Sequence, residues 1–278
     1  MRRLIPSAAI ALGLLAAACT PAPNAPTLAH LPALNGDYFP LTSTATGRTY
    51  HVYVRLPEAY AETPDVHYPT VYLLDGDSTF PLLAPQHLFL GYDDAIPEAI
   101  VIGIAYGGFG EVNKRAIDFM PPGSAAESGA PAFQAMLKDE LLPRTEARYR
   151  ADPARRILVG QSRGGAFVLY SAFTDPDLFW GRIASNPALP PTTDFFRGPP
   201  APAQRQDLTL AVVNGTRDSP RLRPHTQAWF AHWRGRPAPW RLHAIDLDGG
   251  THAADLPNAY RLGLHAIFDA DAEDEARD

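Results

Sequence analysis

Gly160-Gln161-Ser162-Arg163-Gly164 sets a serine between two glycines in a G-x-S-x-G pentapeptide. An apolar run, Ile157-Leu158-Val159, precedes it, and a helix-forming stretch, 164–173, follows. That is the strand–turn–helix setting in which a sharp turn lifts a serine hydroxyl out of the backbone as a nucleophile. Glycines on either side let strand and helix approach, so a large side chain at Gly160 or Gly164 is expected to clash. The bare pentapeptide also fits a glycine-rich turn with no chemistry, and the flanking elements favour the nucleophile.

A serine hydroxyl needs a base to take its proton. For this setting the chain order is Ser, then acid, then His. Of nine histidines, five follow Ser162. His225, His232 and His265 fall in helical patterns and His243 in a strand pattern. His252 ends Asp248-Gly249-Gly250-Thr251-His252, a loop between the last strand and the last helix. Loops at the C-terminal ends of strands are where parallel sheets meet ligands. The acid that would orient His252 is Asp218, in Asn214-Gly215-Thr216-Arg217-Asp218, again just past a strand. Asp218 also suits a helix N-cap, Asp246 and Asp248 are rivals, and a Ser–His dyad needs no acid. A tetrahedral intermediate requires two N–H donors. One is the backbone N–H of Arg163; the other is that of Asp77 in Asp75-Gly76-Asp77, with Gly76 as alternative. At Asp77 the amide matters and the side chain is expected to be irrelevant. Arg115 and Asp118 fit either a pocket rim or a structural ion pair. H-E-x-x-H is absent and no cluster has zinc spacing, so neither metal nor cofactor is expected.

These residues need a scaffold. Strands are expected near 38–45 and at 50–56, 69–74, 99–106, 156–160, 180–185, 208–213 and 240–245. Helices are expected at 132–149 with a kink at Pro143, at 164–173, 222–233 and 253–268. Segments 78–98, 107–131 and 187–207 read as loops, the last holding six prolines. Strands alternating with helices imply a mostly parallel central sheet flanked by helices, a single α/β domain over 36–268. The stretch 269–278, with six acids, reads as a solvated, frayed tail.

Among 278 residues, 46% are hydrophobic and 19% charged, enough apolar surface for a core. A net charge of −6 suits neither phosphate neutralisation nor nucleic-acid binding. The single cysteine excludes an internal disulfide. It lies at Cys19, after Arg2-Arg3 and an apolar run that ends Leu15-Ala16-Ala17-Ala18. This resembles a bacterial lipobox, although Ala16 stands where a stricter box has Leu. Residues 1–18 are then a lipoprotein signal peptide, Cys19 the lipidated first residue, and 19–35 a Pro/Ala-rich tether. A secretory signal cleaved a little later is the alternative. Thr20 after the cysteine, by resemblance to Gram-negative sorting signals, points to the periplasmic side of the outer membrane.

Together the motifs resemble the putative-esterase family of α/β-hydrolases, which includes esterase D, the mycolyl-transferase antigens and the siderophore esterases. YPTVYLLDGDSTF is similar to that family's YPVLYLLDG element, and RRILVGQSRGGAFVLYSAFTDPDLFWGRIASNPAL to its GHSxGGxxxLxxxxxxPxxFxxxxxxSPxL block. AIVIGIAYGG and NKRAIDFMPP resemble the segment before the turn. The resemblance covers roughly residues 36–268. It implies an α/β-hydrolase fold, a serine esterase acting through an acyl-enzyme on a small-molecule ester, and siderophore-type esters or lactones as one substrate class. Two departures stand out: Gln161 replaces the commoner His, and Asn186-Pro187 replaces Ser-Pro. Neither is expected to touch the chemistry. Acyl transfer to an alcohol would use the same site, and a non-catalytic envelope binding protein could keep the fold. Oligomeric state is not readable.

Overall fold

Every residue of Tyr68–Leu73 and of Ile100–Ala105 is buried, as strands covered on both faces must be. They are β3 and β4 of an eight-stranded sheet. The computed structural model describes residues 36–123 and 127–275. Within them the strands are β1 (Gly36–Thr42), β2 (Thr49–Arg55), β3, β4, β5 (Ala151–Gln161), β6 (Gly181–Ser185), β7 (Thr209–Arg217) and β8 (Arg241–Thr251). The helices are α1 (Gly76–Asp93), α2 (Arg115–Asp118), α3 (Ala130–Ala135), α4 (Leu142–Arg148), α5 (Arg163–Thr174), α6 (Arg223–Trp233) and α7 (Leu256–Glu275). The signal peptide, Cys19 and the tether lie outside the described residues.

The strand order is β1-β2-β4-β3-β5-β6-β7-β8. Only β2 runs against its neighbours; β3 to β8 are parallel. Period-two alternation sends successive side chains to opposite cores. Val71, Leu73, Val101, Ile157 and Val159 face α1 and α7, where they meet Phe80, Leu83, Tyr260 and Leu264. Tyr72, Leu74, Ile102, Ile104 and Leu158 face the other way, onto Phe119, Phe133, Phe167 and Trp229. All six parallel strands point their C-terminal ends to one edge, where Gln161, Arg217 and Thr251 terminate β5, β7 and β8.

Four expectations change. The stretch 248–251, expected as a loop, is the end of β8, where Thr251 pairs with Arg217 of β7. Segment 78–98, expected as loop, is largely α1, despite Pro81 and Pro85 inside it. Each interior proline costs a helix about 3 kcal/mol. Burial of Phe80, Leu83, Ala84 and Leu90 against the sheet offsets this, at about 1.5–3 kcal/mol per large side chain. Segment 132–149 is two α-helices joined by a π-helical stretch, Met136–Leu141. It runs into Pro143, which cannot donate to the carbonyl four residues back. The acidic segment after 268 does not fray at once: α7 continues to Glu275, and Asp271 and Asp274 pair with Arg155 (3.0 Å) and Arg241 (2.9 Å).

Candidate active site

Strand β5 ends at Gln161 and α5 begins at Arg163, so Ser162 alone makes the reversal. It does so at φ 59°, ψ −116°, a left-handed backbone that a non-glycine residue rarely adopts. Its amide donates to Ser185 O (2.9 Å), and its carbonyl accepts from Ala188 N (2.9 Å) and Ala166 N (3.0 Å). These bonds hold the strained turn. A Cβ on Gly160 would lie 2.4 Å from Gly164 O, the expected clash. At Gly164 it would meet the Asp75 carboxylate at 3.2 Å, a tight contact rather than an outright clash.

His252 follows β8 and turns its ring back over the elbow. Its Nε2 is 2.9 Å from Ser162 Oγ and its Nδ1 is 2.6 Å from Asp218 Oδ1. An ionised carboxylate only accepts, so Nδ1 carries the proton and Nε2 is left to accept from the serine. Asp218 is 4% exposed, just past β7. Its Oδ1 also takes the Ser219 N–H (2.6 Å), and its Oδ2 takes Asn214 Nδ2 (2.9 Å). The rivals lie elsewhere: Asp246 accepts from Gln227 (2.8 Å) and Arg223 (3.3 Å), and Asp248 faces Thr216.

Ser162 and His252 line a cavity of about 390 Å³ shared with Asp75, Asp77, Leu82, Phe109 and Arg115. Two helices start at it. Arg163 is the first residue of α5, and Gly76-Asp77 are the first two of α1. Amides in a first turn have no acceptor within their own helix, so both ends offer N–H groups and the positive end of a dipole. α1 can start there because Gly76 lacks a side chain: a Cβ would lie 2.7 Å from Ile104 N.

Sequence reasoning missed several participants. The Asp77 side chain, expected to be irrelevant, accepts from Tyr106 N (2.7 Å) and Gly107 N (2.9 Å) and so ties the start of α1 to the loop after β4. Arg115 does not pair with Asp118. It clasps Asp75 through Nε (2.6 Å) and Nη2 (2.9 Å), while Asp118 is buried against Arg48 and the Tyr50 and Tyr106 hydroxyls. Burial raises the Asp118 pKa despite those donors. Gln161 and Asn186, expected to stand apart from the chemistry, both donate to the carbonyl of His252, at 2.6 and 3.0 Å. Among the described residues, no three His, Cys, Asp or Glu side chains gather as a metal site.

A serine, imidazole and buried carboxylate in one hydrogen-bonded line, on a parallel sheet's C-terminal edge, define the α/β class of serine hydrolase-like folds. The chain belongs to the family described as Putative esterase, which matches residues 43–247. It is 29% identical to the ferri-bacillibactin esterase BesA of Bacillus subtilis (strain 168), over 54% of this chain and 57% of that protein. It is 27% identical to the apo-salmochelin esterase of Escherichia coli O6:H1, over 51% and 48%. The chain thus spans about half the length of the curated relatives it matches. Its fold is that of the IroE-like serine hydrolase from Shewanella oneidensis (TM-score 0.73, 22% identical, 84% of this chain and 80% of that one). It is also that of the siderophore hydrolase EstA from Aspergillus nidulans (TM-score 0.71, 19% identical, 92% and 99%).

Proposed function

We propose that this chain hydrolyses carboxylic esters through an acyl-enzyme on Ser162. The observation that carries the reading is the unbroken line Ser162 Oγ–His252–Asp218, with bonds of 2.9 and 2.6 Å, at the wall of a cavity beside the starts of α1 and α5. His252 takes the Ser162 proton as Oγ attacks the acyl carbon. The oxyanion is held by the amides of Asp77 and Arg163. As the intermediate collapses, His252 returns the proton to the leaving alcohol. Water then attacks the acyl-enzyme with His252 again as base, releasing the acid and restoring the serine. Asp218 stabilises the imidazolium and keeps Nδ1 protonated.

The substrate class is a siderophore-type ester or lactone, which relatives named as siderophore esterases support. The cavity suits a small-molecule ester with both charged and apolar parts: its lining includes Arg115 and Asp75 as well as Leu82, Phe109 and Leu256. The site of action is the bacterial envelope, with Cys19 lipidated; Cys19→Ala would then move the protein from the membrane to the soluble fraction. The enzymatic reading is tested by turnover of short p-nitrophenyl esters and of a catecholate trilactone, beside Ser162→Ala. Hydrolysis that vanishes in the variant supports it. Equal rates in both would refute it.

A further inference from the structure

Gly249 and Gly250 precede Thr251 and His252, and Gly249 sits at φ 68°. Such a segment has many backbone states to lose before its imidazole can stand in line. Pairing of Thr251 with Arg217 of β7, Thr216 on Gly249 and Asp255 on Thr251 restrict the segment up to Thr251, and a set of side-chain amides holds the carbonyls of Thr251 and His252. Asn186, at the end of β6, sends Nδ2 to Thr251 O (2.9 Å) and His252 O (3.0 Å). Its Oδ1 accepts from Asn214 Nδ2 (3.0 Å) and Gly215 N (2.8 Å). All four of its side-chain hydrogen-bonding positions are filled, and it is 2% exposed. Gln161, immediately before the serine, adds Nε2 to the same His252 carbonyl (2.6 Å). Asn214 gives its second N–H to Asp218 Oδ2 (2.9 Å) and accepts from Gln227 Nε2 (3.0 Å).

We infer that Asn186, with Gln161, is a positioning residue that locks the His252 backbone to the serine elbow and to the acid strand. The geometry is selective. Asn186 bridges three strand ends, β6, β7 and β8, so it sets serine, acid and histidine on one frame. Its backbone is left-handed, φ 43°, which asparagine tolerates far better than branched or bulky residues. A serine hydroxyl has one proton and could donate to only one of the two carbonyls. Aspartate would turn an oxygen towards the Thr251 and His252 oxygens and add a charge near Asp218. No contact of Asn186 is to the imidazole itself, so it acts through the backbone that carries the ring. A displacement of about 1 Å at a reacting group can cost about 100-fold in rate.

This inference rests on the triad reading above. Its test is Asn186→Asp, with Asn186→Gly as a second variant, since glycine accepts φ 43° and removes the amide without strain. The first readout needs no substrate: the far-downfield proton resonance of the His252 Nδ1–H···Asp218 bond. It is expected in the wild type, and broadened or lost in both variants while the thermal melt remains cooperative. The second is kinetic: kcat falls about 10- to 100-fold with KM held within about twofold. The double variant with Gln161→Leu should lose less than the product of the single losses, because both amides hold one carbonyl. A variant that keeps the resonance and the wild-type kcat would overturn the inference. So would one that raises KM alone. Absence of both turnover and the resonance in the wild type would instead strike the triad reading.

Discussion

Asp218 uses both carboxylate oxygens, one shared by the imidazole and Ser219 N–H, the other taken by Asn214. Those contacts fix the angle of the carboxylate, so His252 is held with Nδ1 towards Asp218 and Nε2 towards Ser162. Asp218→Asn would offer an N–H to Nδ1 and favour the wrong tautomer. The expected loss is about 10⁴-fold in kcat with the fold retained, read by steady-state kinetics beside a thermal melt. A near-normal rate would mean that no carboxylate at 218 is needed. At this scale the sequence was most legible where chemistry demands a residue type: Ser162 by its pentapeptide, His252 and Asp218 by their place past strands. Gln161 and Asn186 were invisible because their partner is a backbone carbonyl 91 and 66 residues away, which no residue type announces.

Helices α1 and α5 both begin at the cavity, and each needs a glycine to do so. Gly76 brings α1 against the β4 backbone, and Gly160 lets β5 pass under the first turn of α5. Gly76→Ala would set a methyl 2.7 Å from Ile104 N and push the Asp77 amide outward. The expected result is a drop in kcat larger than any change in KM, with about 1–3 kcal/mol of lost stability from overpacking. An unchanged kcat would show that the start of α1 contributes nothing to the transition state. The parallel strands and α5 could be read from apolar runs and the elbow. α1 could not: two prolines argue locally against a helix, and only its burial on the sheet outweighs them. The π-helical stretch was also hidden, since a kink at Pro143 predicts a break but not how the preceding turn widens.

Across the whole molecule, two cores clamp one sheet, and on the face covered by α1 and α7 those two helices are joined by His87. Its Nδ1 pairs with the Tyr260 hydroxyl (2.7 Å) and its Nε2 with Pro97 O (3.2 Å). Burial, and secondarily Arg55, depress its pKa from 6.5 to about 4. Folding therefore favours the neutral ring. This contribution to stability is complete above about pH 6.5 and is lost as pH falls towards 4, by ~3 kcal/mol at full effect. His87→Gln removes the group, so the stability gap between wild type and variant should narrow from about pH 7 to about pH 4.5 in urea denaturation. Parallel curves would contradict it. The fold class was legible at this scale because alternating apolar runs and helices leave few topologies. The reversal of β2 and the reach of α7 to Glu275 were not, because strand neighbours and the Arg155–Asp271 and Arg241–Asp274 pairs are long-range facts.

Ser162, activated by His252 and held through Asp218, is proposed above as an acyl-transfer nucleophile. A fluorophosphonate probe followed by mass spectrometry of the digested protein tests it without knowledge of the natural ester. One adduct is expected, on the peptide carrying Ser162, absent in Ser162→Ala and formed orders of magnitude more slowly in His252→Ala. No adduct in the wild type, or an adduct on another residue, would contradict it.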